Sequence, residues 1–134
     1  MIIIRIWHES LLPHLPRQQL LGQHRECAAL RGAGWGRKHS VVNYVFTHDP
    51  GRLIAYHYRV MDEMRRRGYN PDPIWTNPFW RGKTLGEQLD WVNPDFVNLC
   101  YDESGFIFKE HDDAYYKECV ENLKAKGINI LGQN

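Results

Sequence analysis

The best-specified element of this sequence is a helix between residues 49 and 68. Asp49 can cap it, and Pro50 suits its first position because the N–H that proline lacks would have no partner there. Arginines 65 to 67 and Gly68 predict where it ends. We expect His57 to be a hydrogen-bonded core histidine, since it interrupts an apolar stripe at helical spacing. That stripe comprises Leu53, His57, Val60, Met61 and Met64.

A second helix is predicted over residues 16 to 31, from Pro16 at its first turn to Gly32 and Gly34 at its end. One side of its wheel, expected to pack on the core, carries Leu20, Leu21, His24, Cys27 and Ala28. The other side carries Gln19, Gly22, Gln23, Glu26 and Ala29. Gly22 lies one turn before Glu26, so either a ligand can approach this carboxylate closely or another helix packs against the glycine.

The remaining pattern predicts one further long helix and several shorter elements. The long helix is capped by Asp112 or Asp113 and ends at Gly127. Thr84 and Glu87 form a capping box that predicts a short helix to about residue 92. Residues 96–101 and 106–109 flank a turn and predict a β-hairpin, and residues 2–7 predict a strand or an extended arm. The fold class is therefore mainly α, a single compact domain over 1–134 with three principal helices, long ordered loops and room for one small hairpin.

Composition limits the class of protein and its compartment. A chain of 134 residues with 43% hydrophobic content fits one globular domain, and its net charge of +1 favours nucleic-acid binding only if basic residues share one face. Cys27, Cys100 and Cys119 are odd in number and form no C-x-x-C pair, which predicts free thiols in a reducing compartment. No run approaches membrane-spanning length, so we expect a cytoplasmic protein without a membrane partner.

Two stretches have the composition of loops and also carry basic or aromatic side chains. The glycine-rich residues 32–36 deliver Arg37, Lys38 and His39 together, which fits either phosphate contact or a solvated charge cluster. Residues 69–83 place Trp75 and Trp80 near basic residues in a long loop. Such aromatic rings either stack on bases or cover the core.

Three of these stretches resemble one known family. Residues 19–27, Q-L-L-G-Q-H-R-E-C, resemble the catalytic helix of the pyrimidine-dimer DNA glycosylases, the phage endonuclease V family. Residues 37–39 are similar to a basic R-K-H element of that family, and residues 56–70 to a helix ending in a charged run, Gly, an aromatic and Asn. The resemblance covers about residues 5–70. It implies excision of pyrimidine dimers or related lesions from double-stranded DNA, with an abasic-site lyase step and without metal or cofactor.

The resemblance also implies residue roles. Glu26 would be the catalytic carboxylate and Arg25 would bind phosphate, while the family's nucleophile is a free α-amine. Because Ile2 is too bulky for the usual removal of the initiator residue, we expect Met1 to supply that amine. An α-amine suits the task since its pKa is about 7.7–8.0, against about 10.4 for lysine. The expected DNA contacts of this monomer are Gln19, Gln23, Arg37, Lys38 and His39.

The chain departs from the family pattern at two positions. Gln19 stands where the family has a histidine, and Ala29 where it has an arginine. Two alternatives are therefore kept. One is a non-catalytic nucleic-acid-binding module that retains the fold. The other is a metal-dependent hydrolase or nuclease, although no H-x-x-x-H pair occurs; it would use some of His8, His14, His24, His39, His48 and His57.

Overall fold

The computed structural model describes residues 6–32 and 44–130, and this part of the chain is mainly helical, as predicted. Its only β-type pairing is an isolated bridge between Trp80 and Glu87. The elements in chain order are the 3₁₀ helix η1 (Glu9–His14), α1 (Arg17–Gly32), α2 (Tyr44–Thr47), α3 (Pro50–Arg66), the 3₁₀ helix η2 (Pro73–Thr76), α4 (Pro94–Tyr101) and α5 (Asp113–Ala125).

Helix α3 is the central element and begins and ends as its sequence predicts. The Asp49 carboxylate accepts from the Gly51 N–H at 2.8 Å, and Gly68 has a left-handed φ of 87° after the last turn. α3 packs against α1 on one side and α4 on the other. A Cβ on Gly51 would lie 2.7 Å from the Phe96 ring, so α4 approaches this closely only because residue 51 is glycine.

Two apolar clusters surround α3. The larger one joins η1, α1, α3 and α5, and its fully buried members include Leu11, Leu20, Leu53, Val60 and Leu123. The smaller one lies between α3 and α4 and consists of Ile54, Val92 and Val97, with Tyr58, Phe79 and Trp91 packed against it. The loop between α3 and α4 therefore contributes aromatic side chains to the smaller cluster.

The structure confirms the last predicted helix and shows which of the two candidates, Asp112 or Asp113, caps it. Asp112 is the cap, because its carboxylate accepts from the Tyr115 N–H at 2.9 Å. Gly127 follows the last turn with a φ of 82°. Cys119, Val120 and Leu123 are buried, whereas Tyr116 is only half-buried.

The predicted hairpin and the predicted helix after Thr84 are both wrong. Residues 94–101 form α4, because Asn93 caps it by accepting from the Asp95 N–H at 2.9 Å and Pro94 takes its first position. Residues 84–92 form turns without a helix. Glu87 does not close a capping box, since its carboxylate accepts from the Asn77 side-chain amide at 2.5 Å.

The buried face of α1 differs from the predicted one. Leu20 and Cys27 are buried as expected, but Gln23, Leu30 and Arg31 are buried as well. The core side of the helix is therefore rotated toward Gln23, since both buried polar side chains find hydrogen-bond partners in other elements. The expected core residues that are only half-buried are Leu21, His24 and Ala28.

Candidate active site

The outer side of α1 carries an acidic and a basic side chain beside a gap. Arg25 is exposed and Glu26 is half-buried, with Gln19 half-buried on the same side of the helix two turns earlier. A Cβ on Gly22 would meet only the Nη2 atom of Arg25, at 3.6 Å, among the residues that the structure describes. Within the part of the chain that the structure describes, no helix packs against Gly22.

Gln23 does not belong to this open side, where the wheel placed it. It is 2% exposed, and its Oε1 atom accepts from the Trp7 N–H at 2.7 Å and from the Tyr56 hydroxyl at 3.0 Å. The prediction that Gln23 faces outward is therefore wrong. The physical reason is that its amide oxygen satisfies a buried backbone donor that has no sheet partner.

Residues 6–9, which we call the inner segment, lie against the core without belonging to a sheet; Ile6 is in a bend and Glu9 is the first residue of η1. Side chains from α1, α3, α5 and the residue 111 turn satisfy their backbone groups instead. The contacts are Tyr115 hydroxyl to Ile6 O, Trp7 N–H to Gln23, Tyr56 hydroxyl to Trp7 O at 2.6 Å, His8 N–H to Cys119 Sγ at 3.4 Å and Glu9 N–H to His111 Nδ1 at 2.9 Å. Five backbone polar groups are thus fixed by side chains, and the one between them, His8 O, accepts from the Leu11 N–H at 2.9 Å.

The hydrogen bonds of this cluster form a chain in which each side chain donates to the next. Because His111 Nδ1 accepts from Glu9, its proton lies on Nε2, which is 2.9 Å from the Tyr44 hydroxyl. Tyr44 then donates to Tyr115 at 3.4 Å, and Tyr115 donates to Ile6 O. Burial lowers the pKa of His111 to about 3, so the cluster is uncharged at neutral pH.

The inner segment meets α1 close to Glu26. Trp7 is bonded to Gln23, which lies one helical turn before Glu26 on α1. The rise between these two helix positions is about 4.5 Å. Trp7 therefore contacts α1 one helical turn before the predicted catalytic carboxylate.

A second polar network centres on Arg31, which sequence reasoning missed. Its side chain is 0% exposed and donates to three carbonyl oxygens of one loop: Trp75 at 2.8 Å, Asn77 at 2.6 Å and Trp80 at 2.8 Å. Burial lowers its pKa to about 10, which leaves it charged at neutral pH. The sequence signal for the burial of Arg31 was its position on the same side of α1 as Cys27, one helical turn later.

The loop anchored by Arg31 carries the aromatic residues that were candidates for stacking on DNA bases. Phe79 and Trp91 pack against the smaller apolar cluster, and the Trp75 ring lies 5.1 Å from the Arg31 guanidinium carbon. Arg81 donates to the Arg31 carbonyl at 2.9 Å and lies over Trp91. These contacts favour the role of covering the core over that of stacking on bases.

Four predicted site residues lie outside the described residues: Met1, Arg37, Lys38 and His39. Their roles stay predictions. The remaining two catalytic candidates, Arg25 and Glu26, are neighbours on α1 by sequence, and Gln19 shares their side of the helix.

The histidines of the metal alternative are dispersed. His8 bonds to Ser10, His24 bonds to His57, and His48 pairs with Glu110 at 2.9 Å. Across 6–32 and 44–130, no three His, Cys, Asp or Glu side chains converge as metal ligands. Within the same ranges, no helix has the length and apolar character needed to cross a membrane.

Comparison with known proteins gives one result. No curated protein and no solved structure matches the chain. The family model for pyrimidine dimer DNA glycosylase matches residues 4–77, more than half of the 134 residues. The match spans η1, α1, α2, α3 and η2, and so includes both Arg25 and Glu26. The chain therefore belongs to the pyrimidine dimer DNA glycosylase family.

Proposed function

We propose that this protein is a DNA repair glycosylase with abasic-site lyase activity on double-stranded DNA carrying pyrimidine dimers or related lesions. The α-amine of Met1 is the nucleophile and Glu26 the catalytic carboxylate. The observation that carries the proposal is the hydrogen bond between Trp7 and Gln23, because it fixes the inner segment one helical turn from Glu26.

The length of the chain before the inner segment supports this pairing. Five residues precede Ile6, and an extended chain of that length spans up to about 17 Å. The helix rise from Gln23 to Glu26 is only about 4.5 Å. An arm of this length exceeds that axial separation, which supports the pairing of the Met1 amine with Glu26 in this proposal.

The chemistry assigns one step to each group. The neutral amine adds its electron pair to C1′ of the damaged nucleotide, and the base leaves with the glycosidic pair and takes up a proton. The C1′–O4′ bond then breaks as the nitrogen lone pair forms the C=N bond and a proton moves from the nitrogen to O4′, which opens the sugar ring and gives a protonated Schiff base. Glu26 stabilises the cationic sugar and then accepts the C2′ proton, so that elimination expels the 3′ phosphate and breaks the strand. Hydrolysis of the imine restores the amine.

The surface beside Glu26 suits a nucleic acid. Arg25 is exposed for a phosphate contact, and Gly22 leaves room for the DNA backbone. Gln19 shares this side of α1 and is a further contact, and the basic residues Arg37, Lys38 and His39 hold the backbone in this proposal. The damaged nucleotide is flipped out of the stack, because C1′ is inaccessible in an intact duplex.

We also propose that the protein works as a monomer in the cytoplasm. Cys27, Cys100 and Cys119 are all buried and free. Burial raises the pKa of the Cys27 thiol, which makes it a poor nucleophile. Three buried thiols without a disulfide suit a reducing compartment.

Borohydride trapping on a duplex with one abasic site tests the function directly. The expected result is a covalent adduct that mass spectrometry places on the peptide containing Met1. Without borohydride, Glu26→Gln should slow strand cleavage about 100-fold or more, since it removes the general base that accepts the C2′ proton. Glu118→Gln, on the exposed side of α5, is the matched control and should cleave at the wild-type rate.

Two results would contradict the proposal. An adduct on a lysine peptide would keep the reaction class and replace the nucleophile. No adduct from a protein whose N-terminus is shown to be unblocked would reject the lyase reaction and favour a binding module.

A further inference from the structure

Three side chains connect the buried Arg31 to the surface of α1. Arg31 Nη1 lies 3.2 Å from His57 Nδ1, and His57 Nε2 lies 2.8 Å from His24 Nδ1. His57 is 0% exposed, whereas His24 is half-buried. We call these three side chains the Arg31 relay. None of them has a role in the reaction proposed above.

The relay fixes where each histidine proton lies. A guanidinium can only donate, so His57 Nδ1 is the acceptor and the His57 proton lies on Nε2. That proton points at His24 Nδ1, which must then accept, so the His24 proton lies on Nε2. The outer nitrogen of His24 is therefore an N–H donor, and it has no partner among the residues that the structure describes.

The relay also keeps His24 uncharged. A second proton on His24 would have to occupy Nδ1, where the His57 N–H already points. Burial, followed by the positive charges of Arg25 and Arg31, lowers the pKa of His24, and only Asp72 acts in the other direction. Burial and Arg31 lower the pKa of His57 as well.

His24 lies across the outer ridge of α1 from Glu26. On the side of α1 that carries Arg25, the two side chains are about 200° apart at 100° per residue, each about 100° from Arg25. A helix is about 10–12 Å across including side chains, which exceeds the axial rise of about 3.4 Å per nucleotide along one DNA strand. A strand that crosses the ridge with its reacting sugar at Glu26 therefore brings a phosphate of a different nucleotide toward His24.

We propose that His24 binds a DNA phosphate beside the reacting nucleotide, as a neutral N–H donor whose tautomer is set by His57 and Arg31. This inference rests on the proposed function, because the ligand is the DNA substrate. His24 is a binding residue in this scheme, and His57 and Arg31 are positioning residues. Neutral donors commonly contact phosphate, and the neighbouring Arg25 supplies the charge.

The tautomer is tested first, on the free protein. Nitrogen-15 NMR of the histidine rings at pH 6.5 should show both His24 and His57 neutral, with the proton on Nε2. In Arg31→Met this pattern should be lost, because His57 Nδ1 no longer has its donor. A charged His24 at pH 6.5, or a proton on Nδ1, would overturn the inference.

Phosphate binding is tested by fluorescence anisotropy with an unreactive duplex that carries a reduced abasic site. His24→Asn removes the outer donor and should weaken binding about tenfold, as expected for one hydrogen bond to a charged group. His24→Gln places an amide N–H near the original Nε2 position and should bind within about threefold of wild type. Melting curves for both variants check that the fold is kept.

The salt dependence separates a neutral donor from a cation. The slope of log Kd against log salt should be the same in His24→Asn as in wild type, because a neutral donor releases no counterion. Arg25→Ala is the matched control and should change that slope by about one. A comparable change in His24→Asn would mean that His24 binds as a cation, which would overturn the inference.

The anisotropy result also separates this inference from the proposed function. If wild type binds the duplex and His24→Asn binds equally well, the inference fails and the proposed function stands. If wild type binds and His24→Asn is weaker but no adduct is trapped with reactive DNA, the lyase mechanism fails and the contact stands. A wild-type protein that does not bind DNA would overturn both.

Discussion

The inner segment and the Arg31-anchored loop are both irregular backbone held by buried side chains, but by opposite means. The inner segment is fixed by uncharged groups from four parts of the chain, each of which satisfies one backbone atom. The loop after η2 is fixed by one cation that satisfies three carbonyl oxygens. Both regions bury backbone polar groups outside a sheet. In the inner segment several side chains each satisfy one such group, whereas in the loop one side chain satisfies three.

The difference predicts how each region fails. A distributed set of neutral bonds loses about 0.5–1.5 kcal/mol when one member is removed. A single buried cation carries a desolvation cost and leaves every partner unsatisfied when it is lost. The loop should therefore respond sharply to one substitution, and the inner segment gradually.

The largest effect is expected at Arg31. Arg31→Met leaves three loop carbonyls and His57 Nδ1 without their donor, while it also removes the cost of burying the charge. We expect the free energy of unfolding to fall by about 3 kcal/mol, measured by urea denaturation. Arg65→Met, at a half-exposed position on α3, should change it by less than about 0.5 kcal/mol. Equal stability of Arg31→Met and wild type would show that the cation does not hold the loop.

Acid should weaken the neutral network more gently. The pKa of His111 is about 3 in the folded protein and about 6.5, the ordinary histidine value, in the unfolded chain, so the unfolded chain binds the extra proton first as pH falls. Stability is full above pH 6.5 and is lost as pH falls toward 3, by about 2 kcal/mol between pH 7 and pH 5 from His111 alone.

The acid effect is checked by urea denaturation at pH 7, 6 and 5, a range above the ordinary pKa of the carboxylates. His111→Gln should be less stable than wild type at pH 7 and should lose less stability on going to pH 5. The exposed His14→Gln is the matched control and should keep the wild-type pH dependence. A wild-type protein whose stability is constant from pH 7 to pH 5 would disprove the claim that His111 is buried and neutral.

The smallest effect on stability is expected at Tyr115. Tyr115→Phe removes the donor to Ile6 O and should cost about 1 kcal/mol. If the inner segment positions the Met1 amine, the rate of borohydride trapping at saturating DNA should also fall several-fold, with the DNA Kd unchanged. The neighbouring Tyr116→Phe should change neither the stability nor the trapping rate by a measurable amount. Unaltered trapping in Tyr115→Phe would separate the inner segment from catalysis.

The helices α3 and α5, whose capping residues are local signals, were predicted correctly, whereas α4, the helix after Thr84 and the buried face of α1 were not. The Asp49 and Asp112 caps define α3 and α5 within a few residues of sequence. α4 was read as a hairpin strand because residues 96–101 are apolar and β-favouring, although the Asn93–Pro94 start was present. Gln23 was assigned to the wrong face because its partner Trp7 lies 16 residues away.

The candidate site likewise consists of a local pattern that the sequence predicts and of long-range contacts that it does not predict. Gly22, Arg25 and Glu26 form a local pattern on one helix, which sequence alone can reveal. The contacts that hold the inner segment join residues as far apart as His8 and Cys119, 111 positions along the chain. The Arg31 contacts reach residues 44 to 49 positions away. No sequence window contains such pairs, so only the folded protein reveals them.

The hydrogen bonds that hold the inner segment fix one end of the chain that precedes Ile6. A shift of the segment by one residue would break all of these bonds at once. Each residue added or removed between Met1 and Ile6 therefore changes the reach of the terminal amine by up to about 3.4 Å and leaves the rest of the protein in place. In the proposed mechanism, the number of residues before Ile6, and not their identity, would set the distance over which the amine can act.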